Sequence, residues 1–289
     1  MVTAMETKTA LITGASSGIG EATALKLAGL GYRVYGAARR VERMTALADR
    51  GVTVMKMDVT DDASMVEGVE QIVTETGRVD VLVNNAGYGS YGALEDVPMT
   101  EAKYQFEVNV FGLARLTQLV LPHMRAQRSG YIVNISSVGG KIYEPLGSWY
   151  HATKFAVEGL SDSLRLEVAP FGIRVVVIEP GAINTEWSAI AATNLVERSG
   201  DSAYAEQAAN SAAVLNMTDG NQRLASPPSV IADAIAKAVS ARRPRPRYGV
   251  GGGAKPVLFA RWILPDRAFD AMLTRTFRTA GKLAVRRSR

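Results

Sequence analysis

In the stretch SWYHATKF, Tyr150 and Lys154 stand four residues apart. On a helix that spacing puts both side chains on one face, a few ångströms from each other. A phenol beside an ammonium is either surface decoration or an acid tuned for proton transfer. Y-x-x-x-K arises by chance in many chains, so the pair gains meaning only from what surrounds it. Four other polar runs stand out: NNAG (84–87), VNVFG (108–112), NISSVGG (134–140) and IEPGAINTEW (178–187).

A second kind of chemistry is written near the start. In TGASSGIG (13–20), Gly14, Gly18 and Gly20 follow an apolar run and open a helical one. Such glycines are needed where a turn is tight, where backbone approaches a pyrophosphate, and where a helix packs against a strand. The helix N-terminus then presents unpaired N–H groups to phosphate. Further on, GAARR places Ala38 where an NAD site has a carboxylate for the ribose hydroxyls, with Arg39 and Arg40 after it. A missing acid and a forked guanidinium suit a 2′-phosphate, so the expected cofactor is NADP in preference to NAD. The plainer alternative has both arginines opening a solvated helix. Asp58 could bond the adenine amine or cap the next helix.

These groups need a scaffold that gathers them. TALIT (9–13), RVYGAA (33–38), VTVMKM (52–57), VDVLVN (79–84), YIVNIS (131–136) and IRVVVI (173–178) are nearly continuous apolar runs. Helical patterns lie between them, among them VERMTALADRG, a stretch near 100–127 and another near 149–169. Alternation of this kind predicts an α/β fold, a doubly wound parallel sheet with helices on both faces. Each polar run follows a strand, lies in the long helix after the fourth, or opens the helix after the fifth, so the sheet's carboxyl edge brings the runs together. Thr60-Asp61-Asp62 and Gly77 mark a helix start and stop.

Taken together, TGxxxGxG, NNAG, the helical Asn, the Ser and YxxxK resemble the short-chain dehydrogenase/reductase family over roughly residues 8 to 190. The resemblance implies a three-layer Rossmann fold and hydride transfer between a nicotinamide and a carbonyl or alcohol carbon. It implies a tetrad of Asn109, Ser137, Tyr150 and Lys154, with Ser137 preferred to Ser136 because it precedes Tyr150 by the family's spacing. An unperturbed tyrosine titrates at about 10; Lys154 and an oxidised nicotinamide would lower that value so that Tyr150 exchanges a proton with the substrate oxygen. Ser137 would bond the same oxygen, Lys154 the nicotinamide ribose, and Asn109, at a helix kink, a water leading to Lys154. By the same resemblance, Gly14, Ser16, Ser17, Gly18, Ile19, Gly20, Asp58, Val59, Asn85, Ala86 and Gly87 contact the adenosine and phosphate side. Pro180, Gly181, Ile183 and Thr185 match the loop that grips the nicotinamide. His151 is expected to point away from the pair, Glu179 to be a strand-end residue rather than a base, and His123 to lie at the surface. Tyr88, Tyr91 and Tyr143 could line the substrate cleft or pack in surface loops.

Composition bounds the rest. An apolar fraction of 47% with 21% charged suits one globular unit across all 289 residues. With no cysteine and only two histidines, a thiolate nucleophile, a disulfide framework and a zinc centre are not expected. The start lacks a basic segment followed by a long apolar run, and no apolar stretch is long enough to span a membrane, so a cytoplasmic protein is expected. Residues 182–226 lose the strand–helix rhythm and read as a mobile lid over an apolar substrate. The 242–289 extension is basic: from Ala241 onward thirteen Lys/Arg face Asp266 and Asp270 alone. SSVGG and this extension are similar to hydroxysteroid and retinol dehydrogenase members. The extension could cover a homodimer or homotetramer interface, cap the pocket, or lie on an anionic membrane through Phe259, Trp262, Ile263 and Leu264. Nucleic acid is not an expected partner. The alternative to an enzyme is an NADP(H)-binding regulatory protein.

Overall fold

Apolar runs that do not alternate are stable as strands only where both faces are covered. The computed structural model describes residues 7–218 and 224–287 and covers them in this way. The chain runs β1 (Thr9–Thr13), α1 (Gly18–Gly29), β2 (Arg33–Ala38), α2 (Thr45–Ala48), β3 (Thr53–Lys56), α3 (Asp62–Thr76), β4 (Val81–Asn84) and α4 (Met99–Phe106). A π-turn (Glu107–Phe111) joins α4 to α5 (Gly112–Gln127). Then follow β5 (Gly130–Ile135), α6 (Ser148–Val168), β6 (Ile173–Pro180), α7 (Trp187–Ser199), α8 (Ala205–Thr218), α9 (Ser229–Ser240), β7 (Arg247–Val250), α10 (Ala254–Ile263) and α11 (Asp266–Arg287).

The strands form one parallel sheet in the order β3-β2-β1-β4-β5-β6-β7. Ala24, Leu27, Ile231 and Ile235 of α1 and α9 pack on one face over Ile12, Val83 and Val176. Ile72, Leu116, Val120 and Leu164 of α3, α5 and α6 pack on the other over Leu11, Leu82 and Ile132. The strand order reverses between β1 and β4, and there the connecting loops part and leave a crevice.

Local chemistry sets the boundaries. The Asp61 carboxylate accepts from the N–H groups of Ala63 and Ser64 to start α3, and Gly77, at φ +70°, ends it. VERMTALADRG, expected to be a helix, is only a 3₁₀ turn and the single turn α2. The run stops at Gly51, whose φ of +80° turns the chain out of the helix, its N–H donating to the Ala48 carbonyl.

The segment that lost the rhythm is not an irregular loop. It is the helix pair α7–α8, with Ala191, Ala192, Leu195, Ala208, Ala212 and Leu215 between them; residues 219–223 of the expected lid lie outside the described residues, as do 1–6 and 288–289. Small side chains let the two helices approach closely. Pro265 divides α10 from α11, and Phe269, Leu273 and Phe277 turn inward against Ile142 and Val214. Phe259, Trp262 and Ile263 of α10 face outward, Trp262 being 80% exposed. Among the described residues no helix is long and apolar enough to cross a membrane.

A polar seam lies inside the sheet. Asn84 of β4 donates to Asn134 Oδ1 of β5 at 2.9 Å, and Asn134 Nδ2 donates to Ser161 Oγ of α6 at 2.9 Å. All three side chains are buried, so each lost bond leaves an unpaired group away from water. Asn134→Leu is expected to lower stability by about 1–3 kcal/mol, seen as a lower urea midpoint at unchanged slope.

Candidate active site

The crevice is built first by backbone. Gly14 and Gly18 lie at φ +65° and +58°, which side-chain-bearing residues rarely adopt. A Cβ on Gly20 would stand 2.2 Å from the Gly14 carbonyl oxygen. Asn85 fastens this turn from β4: its amide donates to the carbonyls of Thr13 (2.9 Å) and Gly14 (3.2 Å). In return Thr13 Oγ1 accepts from the N–H groups of Asn85 and Ala86, each at 3.0 Å. Ser17, the N-cap of α1, makes no side-chain cap bond, so the first N–H groups of that helix face the crevice.

A cavity of 720 Å³ follows the carboxyl edge of the sheet. At one end are Ala38, Arg39, Arg40, Asp58 and Val59; at the centre Gly14, Ser16, Ser17, Gly18, Ile19, Asn85, Ala86 and Gly87; at the other end Ser137, Tyr150, Lys154, Pro180, Gly181, Ile183 and Thr185. Arg39 and Arg40 are exposed at the end of β2, and no acid stands beside them on that strand. Asp58 lines the cavity and its Oδ1 accepts from the Thr60 N–H and hydroxyl, whereas the helix that follows is capped by Asp61. Of the expected site residues, Gly20 and Asn109 lie behind the wall.

Tyr150 and Lys154 share a face of α6, with Nζ 5.9 Å from the phenol ring centre. Ser137 lines the cavity with Tyr150 and acts on its phenol, while its Oγ accepts from the Gly139 N–H at 3.0 Å. Lys154 Nζ donates to the Ile135 carbonyl at 2.9 Å. Burial pushes the Tyr150 phenol well above its usual range; the nearby Ser137 hydroxyl opposes this and the charge of Glu144 adds to it. Burial also brings Lys154 down to about 8, with Glu158 acting the other way. An oxidised nicotinamide would therefore have a large burial effect on Tyr150 to overcome.

Asn109 sits in the π-turn, the kink expected of it. Its Oδ1 accepts from Tyr88 N–H (3.0 Å), and its Nδ2 donates to the Tyr88 carbonyl (3.0 Å) and to Thr153 Oγ1 (3.1 Å). Thr153 Oγ1 donates onward to the Tyr150 carbonyl at 2.7 Å. A Cβ on Gly87 would stand 3.1 Å from Asn109 Oδ1 and 3.8 Å from Lys154 Nζ, so glycine keeps open the gap between those two groups.

Several participants were not legible in the sequence. His151 leaves the Tyr150–Lys154 face, as its spacing requires, but it is buried and lines the cavity. Its Nδ1 lies 2.9 Å from the Gly139 carbonyl, and its Nε2 accepts from the Glu144 N–H at 3.0 Å. The ring thus fixes the turn between Ser137 and α6. Trp187 lies 5.1 Å from the Tyr150 ring and 6.0 Å from Tyr91. Arg43 and Glu186 pair at 2.9 Å, linking the arginine loop to the start of α7. Arg198 holds α7 down through Glu101 (3.0 Å), the Tyr91 carbonyl (3.1 Å) and Ser90 Oγ. Tyr88 and Tyr91 line the cavity, whereas Tyr143 packs on Phe269 and donates to Asp270. Glu179 stays outside the cavity, pushed up to about 7 chiefly by burial. The outward residues of α10 do not reach the cavity, so they do not cap it.

Comparison with known proteins agrees with this geometry. The family model described as short chain dehydrogenase matches residues 8–194. The chain is 41% identical to 3-ketodihydrosphingosine reductase of Bacteroides thetaiotaomicron over 93% of its length and 97% of the relative's. It is 33% identical to NADPH-dependent 3-dehydrocapnine reductase of Ornithobacterium rhinotracheale, covering 90% and 94%. A crystal structure of a short-chain dehydrogenase from Streptomyces avermitilis superposes with a TM-score of 0.75 at 34% identity, covering 96% of this chain and 98% of the other. Similar solved structures hold either cofactor. A metagenomic short-chain oxidoreductase (28% identity, TM-score 0.66, covering 84% and 96%) is bound to NADP. The 3-ketoacyl-(acyl-carrier-protein) reductase of Brucella melitensis (27%, 0.71, covering 87% and 99%) is bound to NADH.

The buried ammonium has a pH signature. Lys154 titrates near 8 folded, against 10.5 for the free side chain, so below pH 8 both states hold the proton and the folded state bears the full cost of burying it. As pH rises through 8 the folded state sheds its proton first, and stability is gained. The stability of the wild type relative to Lys154→Met is therefore expected to rise between about pH 8 and 10, measured by urea unfolding of the cofactor-free protein. A flat difference would show that Lys154 is not strained by burial.

Proposed function

The chain belongs to the short-chain dehydrogenase family, oxidoreductases that bind a nicotinamide cofactor, and from that premise we propose that it reduces the ketone of a long, largely apolar substrate with NADPH. The observation that carries the reading is Ser137 and Tyr150 on one stretch of the cavity wall with Lys154 one turn further along α6, its Nζ 5.9 Å from the phenol ring centre, at the far end of the cavity from Arg39 and Arg40. The residues present fit the cofactor. The Gly14–Gly20 turn leaves no room for side chains where the phosphates would lie, and the α1 N-terminus faces the same space.

Arg39 and Arg40 would hold a 2′-phosphate, and Ala38 removes the acid that would repel it. Thr185 packs against Gly18 and, with Pro180, Gly181 and Ile183, would enclose the nicotinamide. When bound, the reduced cofactor supplies hydride to the carbonyl carbon. Tyr150 gives its hydroxyl proton to the carbonyl oxygen, so that C=O becomes CH–OH and the phenol becomes phenolate. Ser137 donates a hydrogen bond to the same oxygen as charge develops on it. Lys154 stabilises the phenolate, and the gap that Gly87 leaves between Asn109 and Lys154 gives a path for reprotonation of the phenolate.

The apolar substrate has its own support. Beyond the reaction end lies a second cavity of 990 Å³, walled by Val214, Met217, Leu224, Met272 and Leu283 with several alanines and glycines. Ala182 and Val214 line both cavities, which are therefore neighbours. The two named relatives are, by name, reductases of 3-keto compounds, and one is NADPH-dependent. The α7–α8 pair is then the cover of the substrate, and exposed Phe111, Phe155 and Leu166 on and near α5 and α6 offer a face for a homo-oligomer.

Long-chain 3-ketones assayed with NADPH and NADH side by side test this. NADPH is expected to be preferred, Arg39→Ala/Arg40→Ala to erase the preference, and Tyr150→Phe to lower turnover by about 100- to 10,000-fold while NADPH still binds. Equal rates with both cofactors would remove the role given to Arg39.

A further inference from the structure

Glu144 lies in the turn between β5 and α6 and lines the reaction cavity together with Tyr91, Tyr150 and His151. Its backbone is fixed twice: its N–H donates to His151 Nε2 at 3.0 Å, and its carbonyl accepts from the Gly147 N–H. Its carboxylate, by contrast, accepts a single hydrogen bond, from the Tyr91 hydroxyl at 3.3 Å. Among the described residues no lysine or arginine pairs with it. The cavity's cations are engaged elsewhere: Lys154 on the Ile135 carbonyl, Arg39 on Tyr104, and Arg40 at the opposite end.

This carboxylate is badly placed for the reduction of a neutral ketone. It is half-buried, shares the cavity wall with Tyr91, Tyr150 and Trp187, and has no counter-charge there among the described residues. Its field also favours the neutral phenol of Tyr150, which resists giving up the proton. A cation brought by the ligand into the same space offsets both effects. The geometry assigns Glu144 as the recognition group for an ammonium carried next to the reacting carbonyl, so that the substrate class is an amino ketone with an apolar chain. The assignment rests on the ketone-reductase reading above. An alkylammonium has three donors; with Glu144 as one acceptor it would hold the carbonyl beside Ser137 and Tyr150 and bring positive charge near the phenolate as it forms.

The test uses two long-chain 3-ketones of equal length, one with an amine at carbon 2 and one without, at mildly acidic pH where the amine is charged. Wild type is expected to favour the amino ketone in kcat/KM by at least about tenfold, and Glu144→Gln to bring that ratio to near one. Tyr91→Phe removes the hydrogen bond but keeps the carboxylate, and is expected to retain the preference. A ratio unchanged in Glu144→Gln would overturn the assignment and leave Glu144 as a support for Tyr91. Binding of the corresponding amino alcohol and plain alcohol, read by tryptophan fluorescence with Trp187 beside the site, separates this from the reductase reading. Amino alcohol binding about tenfold weaker in Glu144→Gln supports the assignment even where neither ketone turns over, an outcome that would sink only the reductase reading. Equal binding of both alcohols by wild type sinks the assignment.

Discussion

Lys154 reaches from α6 to the Ile135 carbonyl at the last residue of β5, and most of the site depends on that one hydrogen bond. It fixes the first turns of α6 to the carboxyl edge of the sheet, so that Tyr150, one turn earlier, meets Ser137 just beyond the strand. The bond places an ammonium where water is excluded, and the surrounding residues are arranged around that charge. Glu158, one turn further on, faces it electrostatically. Glu158 is itself buried and is held by Lys141 at 3.1 Å and by Arg247 of β7 at 2.9 Å. Arg247 also reaches Asp162, whose carboxyl the pairing holds down at about 2. The edge strand β7 is thus tied to α6 by charge, besides its ladder with β6.

A second constraint acts at the strand-order reversal. The carbonyls of Thr13 and Gly14 and the N–H groups of Asn85 and Ala86 all need partners where β1 and β4 diverge, and the side chains of Asn85 and Thr13 supply them. With those groups satisfied, the glycine turn can be held open without collapsing onto β4. The same logic operates one strand over, where Asn84, Asn134 and Ser161 join β4, β5 and α6. Each tie aligns one part of the crevice with the next, which is why residues from six different chain segments meet along a single edge.

What could be read from the sequence follows from which interactions are local. The parallel strands were visible because burial on both faces leaves uninterrupted apolar runs. Tyr150, Lys154 and the glycines were visible because their spacing encodes a helix face and a turn. His151 was seen only as a residue off the Tyr150 face, since its partners Gly139 and Glu144 lie on a turn whose path nothing local dictates. Arg198 is likewise silent in sequence: its partners are about a hundred residues away. The α7–α8 pair was missed because the β-α rhythm stops there, and alanine-rich helices that pack on each other carry weak amphipathic signals. VERMTALADRG is helical as its composition suggests, over Val41–Ala48, but it is cut short before Gly51, whose φ of +80° turns the chain out of the helix.

The basic extension shows how one pattern can serve two surfaces. Phe269, Leu273, Phe277 and Ala280 recur at helical spacing along α11 and are buried. That face packs against α8 and Ile142, so the extension holds down the helix pair that lies over the reaction end. Arg275, Thr276 and Thr279, turned toward the second cavity, leave it apolar in depth and polar at its wall on α11. A chain bound there would displace water from Val214, Met217 and Met272 while its head stayed beside Tyr150. On the proposed reading of a long apolar substrate, α11 supplies part of the wall along which an alkyl chain would be buried, at about 0.8 kcal/mol for each methylene removed from water.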